Sequence, residues 1–220
     1  MPNFTEKSFN FRYIFKNFFS RWYFYVIAAS IIAVIILTLF LLRKKTHRNN
    51  LSRTQKLAYT AILSALCFVA NAFTIPASNI LQISFIATMG FVSGYMLGPG
   101  LGFVAAFVGD FLCALVFPTA PYSPIINVGT ALWGYIPGVL FILFNNKDLS
   151  NIIFSFALGF ILNSFCVNTI GLSLMYNMPF DSLLLLLPIK LLVVCINFVL
   201  SFALYKLLKR VLPKDKFNIV

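Results

Sequence analysis

Long apolar runs are the feature that most limits how this chain can fold. One run lies near residues 22–42, and six more follow at about 54–74, 81–97, 101–117, 125–144, 151–175 and 183–208. Helical runs of roughly 17–25 apolar residues match the thickness of a bilayer. Because backbone polar groups must be satisfied internally in lipid, we predict an all-α membrane protein with seven spans.

The positive charges lie beside these runs. The formal net charge is +12, yet the loops near 75–80, 118–124 and 176–182 contain no Lys or Arg. Cytoplasmic loops of membrane proteins carry an excess of positive residues. We therefore predict a multi-pass protein of the cell membrane whose C-terminus is cytoplasmic. The three loops without Lys or Arg should face outward. The charge needs no nucleic-acid partner.

These runs and charges divide the chain into five segments. They are a basic aromatic head at 1–21, an extra transmembrane anchor at 22–42, a basic cytoplasmic linker at 43–53, a six-helix core at 54–212 and a cytoplasmic tail at 213–220. A cleaved signal peptide at 1–42 is the alternative, but the run is long for one and no A-x-A site closes it. Within the core, Gly98-Pro99-Gly100 predicts a tight hairpin between two helices.

Few residues in the sequence suit catalysis, metal binding or ATP binding. The four cysteines lie inside predicted spans without C-x-x-C spacing, so we expect apolar core residues and no metal or disulfide. The single histidine, His47, lies in the basic linker. Walker A, H-E-x-x-H and G-x-S-x-G motifs do not occur. We predict no enzyme activity and no cofactor, and uphill transport would need a partner or an ion gradient.

One carboxylate, Asp110, lies inside an apolar run. An ionisable group at that depth costs about 2.5–3.5 kcal/mol on insertion scales, so it needs a partner or a polar cavity. Counting from the ends of the spans places Lys190 at a comparable depth. The two residues form either a structural ion pair or two walls of a cavity. In a cavity, Lys190 would meet an anionic substrate and Asp110 would accept hydrogen bonds from a ring.

Other polar and aromatic residues lie near the same end of the spans. The further substrate-binding candidates are Gln82, Tyr122, Asn127, Trp133 and Asn168. Amides give directed hydrogen bonds, and aromatic rings can stack on a flat ligand. Tyr122 is also typical of the membrane interface, where tyrosines anchor spans.

Small residues line one face of the first core helix. Ala58, Ala61 and Ala65 follow each other at i, i+3 and i+7. Such faces let two helices approach closely in lipid. The face is either a docking surface for a partner subunit or an internal contact of the bundle, and spacing alone favours the internal contact.

Three blocks of the sequence carry a resemblance to a known family. They are TQKLAYTAILSAL, MGFVSGYMLGPGLGFVAAFVGDFLCALVFPTAPYSP, and NTIGLSLMYNMPF followed by LLPIKLLVVCINFVL and KLLKR. In this order they resemble the substrate-binding S component of energy-coupling factor (ECF) transporters, within the folate family. The resemblance covers about residues 54–212.

This resemblance implies a six-helix core that binds a folate-like vitamin on the outer side. It implies two kinds of partner, a membrane-integral coupling protein and two ABC ATPases, and it places Ala61 and Ala65 on the coupling protein. The chain departs from the family in its extra span and in Lys190, where the family often has arginine. Another small vitamin or precursor is an alternative substrate, and a membrane-integral enzyme or sensor is the alternative of a different class.

Overall fold

The computed structural model describes residues 26, 29–33, 35–38, 51–76, 82–117, 122–144, 148–176 and 183–211. Seven helices follow one another along the core: α1 (Arg53–Ala72), α2 (Ile86–Leu97), α3 (Pro99–Val116), α4 (Pro124–Leu143), α5 (Asp148–Gly159), α6 (Asn168–Tyr176) and α7 (Leu187–Val211). A π-helical segment, Phe160–Val167, joins α5 to α6 and is called the π-segment below. The head at 1–21, most of the linker and the tail at 213–220 lie outside the described residues.

The helical membrane architecture follows from the length and composition of these helices. Four of them can cross a membrane: Pro99–Val116, Pro124–Leu143, Leu149–Ser173 through the π-segment, and Leu187–Val211. The α2 helix has only 12 residues. The predicted helical membrane class is therefore supported, while the count of seven spans stays a prediction.

The start of α1 agrees with its sequence. Ser52 precedes the helix, and its hydroxyl accepts a hydrogen bond from the Gln55 backbone N–H at 3.2 Å. The Gln55 side chain accepts one in return from the Ser52 N–H at 3.0 Å. This reciprocal capping box satisfies two backbone donors that a helix start leaves free. The α1 helix begins at Arg53, next to the start of the apolar run predicted at about 54–74.

The segment before α2 differs from the prediction. The apolar run 81–97 predicts helix throughout, whereas α2 begins at Ile86. Residues Gln82–Ile83 instead form strand β2, which pairs antiparallel with strand β1, Ile75–Pro76. These two-residue strands are an addition to the predicted all-α fold. Apolar composition does not separate strand from helix in so short a piece, and here pairing with β1 decides.

The predicted hairpin between α2 and α3 is confirmed. Gly98 has φ +83°, which glycine adopts without the steric cost that a Cβ imposes. Pro99 then occupies the first turn of α3, where its missing N–H leaves no bond unmade.

Glycines bring the backbones of α2, α3 and α4 into direct contact. A Cβ placed on Gly134 would overlap the Gly102 carbonyl oxygen, and one placed on Gly94 would overlap the Gly134 carbonyl oxygen. Helix association in lipid depends on such close van der Waals packing. The α4 helix is therefore held in the middle of the bundle, and its position fixes the residues it carries.

Gly134→Ala is expected to destabilise the protein by about 3 kcal/mol or more, because the added methyl group meets backbone that cannot yield. The melting temperature in detergent measures the effect. Gly171→Ala is the matched control, since its Cβ would meet a side-chain atom, Ile126 Cγ1 at 3.0 Å, rather than backbone. Equal melting temperatures for the two variants would contradict the close backbone contact.

The predicted extra anchor is helical where the structure describes it, and it lies against the core. Residues 29–33 and 35–38 are helical. Ile35 is buried in a cluster with Leu132 and Tyr135 of α4. The Thr38 and Tyr135 hydroxyl groups are hydrogen-bonded to each other. These contacts place the extra helix on α4, and its crossing of the membrane stays a prediction.

The cysteines only partly fit the prediction of core residues. Cys67 and Cys113 are buried, Cys166 is half-buried and Cys195 is exposed, and all four are free thiols. Cys195 lies on the outward side of α7, because its neighbour Ile196 is exposed as well. An apolar position in a span faces lipid as readily as the core, so composition does not separate the two cases.

Candidate functional site

Asp110 of α3 belongs to a line of hydrogen bonds rather than to an ion pair. Its carboxylate accepts a bond from the Asn71 amide of α1 at 2.7 Å. Asn71 accepts in turn from the Ser84 hydroxyl at 2.9 Å, just before α2 begins. The Thr130 side chain of α4 lies near the Asp110 carboxyl group, while its hydroxyl donates to the Ile126 carbonyl at 3.0 Å. Three helices and the segment before α2 therefore meet at this carboxylate.

Asn197 of α7 continues this line. Its amide nitrogen donates to the Ser84 carbonyl at 3.0 Å. Its amide oxygen accepts from the Thr88 hydroxyl at 2.7 Å and from the Thr88 N–H at 3.2 Å. The Asn197 side chain is 1% exposed. We call Asp110, Asn71, Ser84, Asn197 and Thr88 the polar chain.

Lys190 is a buried cation surrounded by neutral acceptors. The residue is 6% exposed on α7. Its ammonium donates to the Ser164 carbonyl at 3.4 Å and to the Thr169 hydroxyl at 3.3 Å, both long bonds. Within the described ranges, no carboxylate forms an ion pair with it. A buried charge is normally paired, so an anionic group would be a favourable partner for Lys190.

The predicted Asp110–Lys190 pair is not formed. Asp110 connects to α7 through Asn197, and Lys190 lies seven residues earlier on that helix. At 1.5 Å per residue the two positions are about 10 Å apart along the axis. The prediction of equal depth assumed that spans end at one level. The late start of α2 brings Ser84 deeper into the bundle, where it meets Asn197 instead.

The acceptors of Lys190 lie in the π-segment and at the start of α6. The Thr169 hydroxyl also donates to the Ser164 carbonyl, five residues earlier, at 3.1 Å. A π-helical turn widens the helix and presents backbone carbonyls that a regular α-helix would use, and such turns are frequent at functional sites. Ser164 and Thr169 are not identifiable as candidates from the sequence, because a π-helical turn leaves no clear sequence pattern.

Asn127 presents a buried amide without partners. It is 1% exposed on α4, and neither its amide nitrogen nor its oxygen has a hydrogen bond within the described residues. Leaving a buried polar group unpaired costs about 1–3 kcal/mol. Thr130 lies three residues further along α4, so both residues occupy neighbouring positions on the side of α4 that approaches Asp110. A ligand edge with donors and acceptors would satisfy this amide.

The Trp133 side chain packs inside the bundle. It is buried, and its ring packs on Phe156 of α5 with centroids 5.4 Å apart. A Cβ on Gly159 would overlap this indole. With the Asn163 amide oriented to donate to the Gly129 carbonyl, its oxygen accepts from the indole N–H. The ring therefore packs between α4 and the α5–π-segment helix.

The remaining candidates lie at the same end of the bundle. Tyr122 is half-buried, and its ring meets the Phe111 ring edge-on at 5.4 Å. Asn168 is half-buried at the first position of α6. The Gln82 backbone lies in β2 opposite Pro76, while its side chain lies outside the described residues. Residues 118–121 and 177–182 of the neighbouring loops also lie outside them.

The alanine face of α1 points away from the bundle. Ala58, Ala61 and Ala65 are exposed, and so are their neighbours Leu57 and Ile62. The opposite side of α1 is the one that packs inward, and Cys67 there lies against Gly109 of α3. The alternative of an internal contact is therefore wrong for the described part of the bundle, and the alanine face is available to lipid or to a partner.

Comparison with known proteins agrees with this architecture. Residues 55–211 match the family model described as the substrate-specific component of the ECF transporter. Among solved structures, FolT bound with folic acid is similar, with a TM-score of 0.59 and 24% identity over 69% of this chain and 93% of that chain. At this identity the similarity shows the fold. Comparison with curated proteins gives no significant match. Because the family model covers most of the chain, the chain belongs to the substrate-specific components of ECF transporters.

Proposed function

We propose that this chain is the substrate-binding subunit of an ATP-dependent ECF-type importer and that its substrate is a folate. The family gives the transport role, and the similar FolT structure holds folic acid. The sequence contains no Walker A motif, so ATP hydrolysis belongs to partner subunits.

The observation that carries the substrate assignment is the environment of Lys190. Its ammonium is buried and, among the residues that the structure describes, is bonded to the neutral Ser164 and Thr169 oxygens. The glutamate tail of a folate supplies carboxylates that would pair with it, and charge-assisted bonds of this kind are the strong ones. Lysine acts as a point charge, so it accepts a carboxylate without demanding the planar geometry that arginine requires.

The Asn127 amide suits the pterin ring. Asn127 offers an unpaired amide with two donors and an acceptor, which complement the donor and acceptor edge of a pterin. We assign Asn127, Lys190 and Tyr122 to direct contacts, and Gln82 and Asn168 to the rim of the pocket. Trp133 supports α4, the helix that carries Asn127, through its contact with Phe156.

The partners follow from the outward alanine face. Ala58, Ala61 and Ala65 would dock on a membrane-integral coupling protein that carries two ABC ATPases. Lys209 and Arg210 in the last turn of α7 support a cytoplasmic position for the C-terminal end of that helix by the positive-inside rule. In this orientation the site between Tyr122 and Lys190 opens outward.

Purified protein from cells grown with folate is expected to retain a folate and to bind folic acid without ATP or partner subunits. A Kd of about 1 nM or below corresponds to at least about 12 kcal/mol, and such a complex dissociates slowly enough to survive purification. Mass spectrometry of bound small molecules and calorimetry with folic acid measure these results. A different retained vitamin would replace folate as the substrate. Failure to retain or bind any vitamin would contradict the proposed function.

A further inference from the structure

We propose that Asp110 and Asn71 are positioning residues, which hold α7 in place through Ser84 and Asn197, and that Asp110 does not itself contact the substrate. This inference rests on the proposed function, because the helix they position carries Lys190. It assigns a distinct role to a carboxylate whose depth in the membrane would otherwise suggest a ligand contact.

The direction of the hydrogen bonds supports a structural role for Asp110. Ser84 donates to Asn71, and Asn71 donates to Asp110, so the carboxylate is the final acceptor of the polar chain. Both ends of the Asn71 amide are occupied in this arrangement. One oxygen of the Asp110 carboxylate is therefore already bonded to a protein donor that belongs to the polar chain.

Ser84 is the point at which three helices meet. Its hydroxyl accepts from the Ile86 N–H at 3.2 Å at the start of α2, and its carbonyl accepts from Asn197 of α7. The next residue, Phe85, donates its N–H to the Ala70 carbonyl of α1 at 3.4 Å. The segment before α2 is thus bonded to α1 at two points and to α7 at one.

These bonds connect two helices that otherwise have little contact. The α7 helix packs on α2, α5 and the π-segment, and α1 packs on α3 and α2. Among the described residues, the polar chain is the hydrogen-bonded path from α1 to α7. Asn197 lies about two turns along α7 from Lys190, so a shift at Asn197 would move the Lys190 ammonium relative to Ser164. The same path joins the Lys190 helix to the helix with the alanine face.

Exchanging the amide of Asn71 and the carboxylate of Asp110 tests this inference. In Asn71→Asp two carboxylates face each other, and the dissociation rate of folic acid is expected to rise at least about tenfold. Asp110→Asn alone keeps an acceptor for Asn71, so its rate should stay within about threefold of wild type. The double variant Asn71→Asp/Asp110→Asn restores a donor at position 110 and an acceptor at position 71. It is expected to return the rate to within about threefold as well.

The opposite pattern would overturn the inference. If the Asp110 carboxylate contacts folic acid, Asp110→Asn accelerates dissociation strongly and the double variant does not recover. A merely structural role would lower the melting temperature of Asn71→Asp without changing the dissociation rate. Asn151→Asp is the matched control, because Asn151 bonds the Phe144 carbonyl at the other end of the bundle and should leave dissociation unchanged.

A second readout separates this inference from the proposed function. Spin labels at exposed Leu66 of α1 and Val199 of α7, in a background without the native cysteines, report the distance between these helices. We expect a broader distribution in Asn71→Asp and recovery in the double variant, with no ligand present. Unchanged distributions would contradict the positioning role. Wild-type protein that binds no folic acid would contradict the proposed function alone.

Discussion

Replacing Lys190 with methionine is expected to weaken folic acid binding about 100-fold, a loss of about 2.7 kcal/mol. Methionine keeps much of the length of the side chain and removes the charge. Truncating one partner of a buried, hydrogen-bonded charge pair costs about 2–5 kcal/mol, which brackets this loss. Isothermal titration of the purified variant with folic acid measures it.

Without ligand, the Lys190→Met protein should be at least as stable as the wild-type protein. The Lys190 ammonium is buried among neutral oxygens, so its desolvation is poorly compensated without a ligand. An apolar side chain of similar volume removes that cost. The melting temperature of ligand-free Lys190→Met is therefore expected to equal or exceed that of wild type. A fall in both affinity and melting temperature would indicate a structural lysine.

Two comparisons make the assignment specific to the carboxylate. Lys206→Met is the matched control, since Lys206 lies exposed further along α7 over the Phe202 ring and should leave binding unchanged. A pterin without carboxylates should bind wild type and Lys190→Met with similar affinity. If Lys190→Met weakened both ligands equally, the lysine would not recognise the carboxylate, and unchanged folic acid binding would remove it from the site.

The helices were predictable because their signals are local. Apolar runs located α1, α3, α4 and α7, and Gly98-Pro99 marked the hairpin. The β1–β2 pair and the π-segment were not predictable in this way. Strand pairing brings together residues 75–76 and 82–83, and the π-segment is held by contacts with Thr169 and Lys190. Both depend on tertiary partners that periodicity does not contain.

The candidate site was predicted by residue type but not by connectivity. The sequence points to Asp110, Lys190 and Asn127 as candidates because polar and ionisable groups inside a membrane span are costly and usually serve a function. Counting residues from the ends of the spans puts Asp110 and Lys190 at one depth, so an ion pair between them was one of the two predicted arrangements. The structure instead connects Asp110 to Asn71 and Lys190 to the π-segment. Asn197 was overlooked, although an asparagine in an apolar span is the same kind of signal as Asp110. Which of several polar groups bond to each other depends on helix rotation and on where each helix starts.

Large side chains on the alanine face of α1 are expected to abolish folate uptake while leaving folic acid binding unchanged. In Ala61→Trp/Ala65→Trp, two indoles would separate any partner helix from α1 and remove the close packing that association in lipid requires. A loss of only about 1.4 kcal/mol in docking reduces the assembled complex tenfold, and two indoles should exceed that. Uptake of labelled folic acid by cells that also express the coupling protein and ATPases gives the first measurement. Titration of the purified variant gives the second.

The exposure of this face is what makes the two measurements separable. Ala61 and Ala65 point outward, so the indoles enter lipid and do not strain the bundle, in contrast to Gly134→Ala. Ala157→Trp on α5 and Ala203→Trp on α7 are matched controls, because both alanines are exposed on other helices. Uptake unaffected by the α1 variant would mean that the face meets only lipid. Loss of uptake in all three variants would reflect insertion or folding. Loss confined to α1, with binding intact, would identify the alanine face as the surface through which substrate binding is coupled to the energy of the partners.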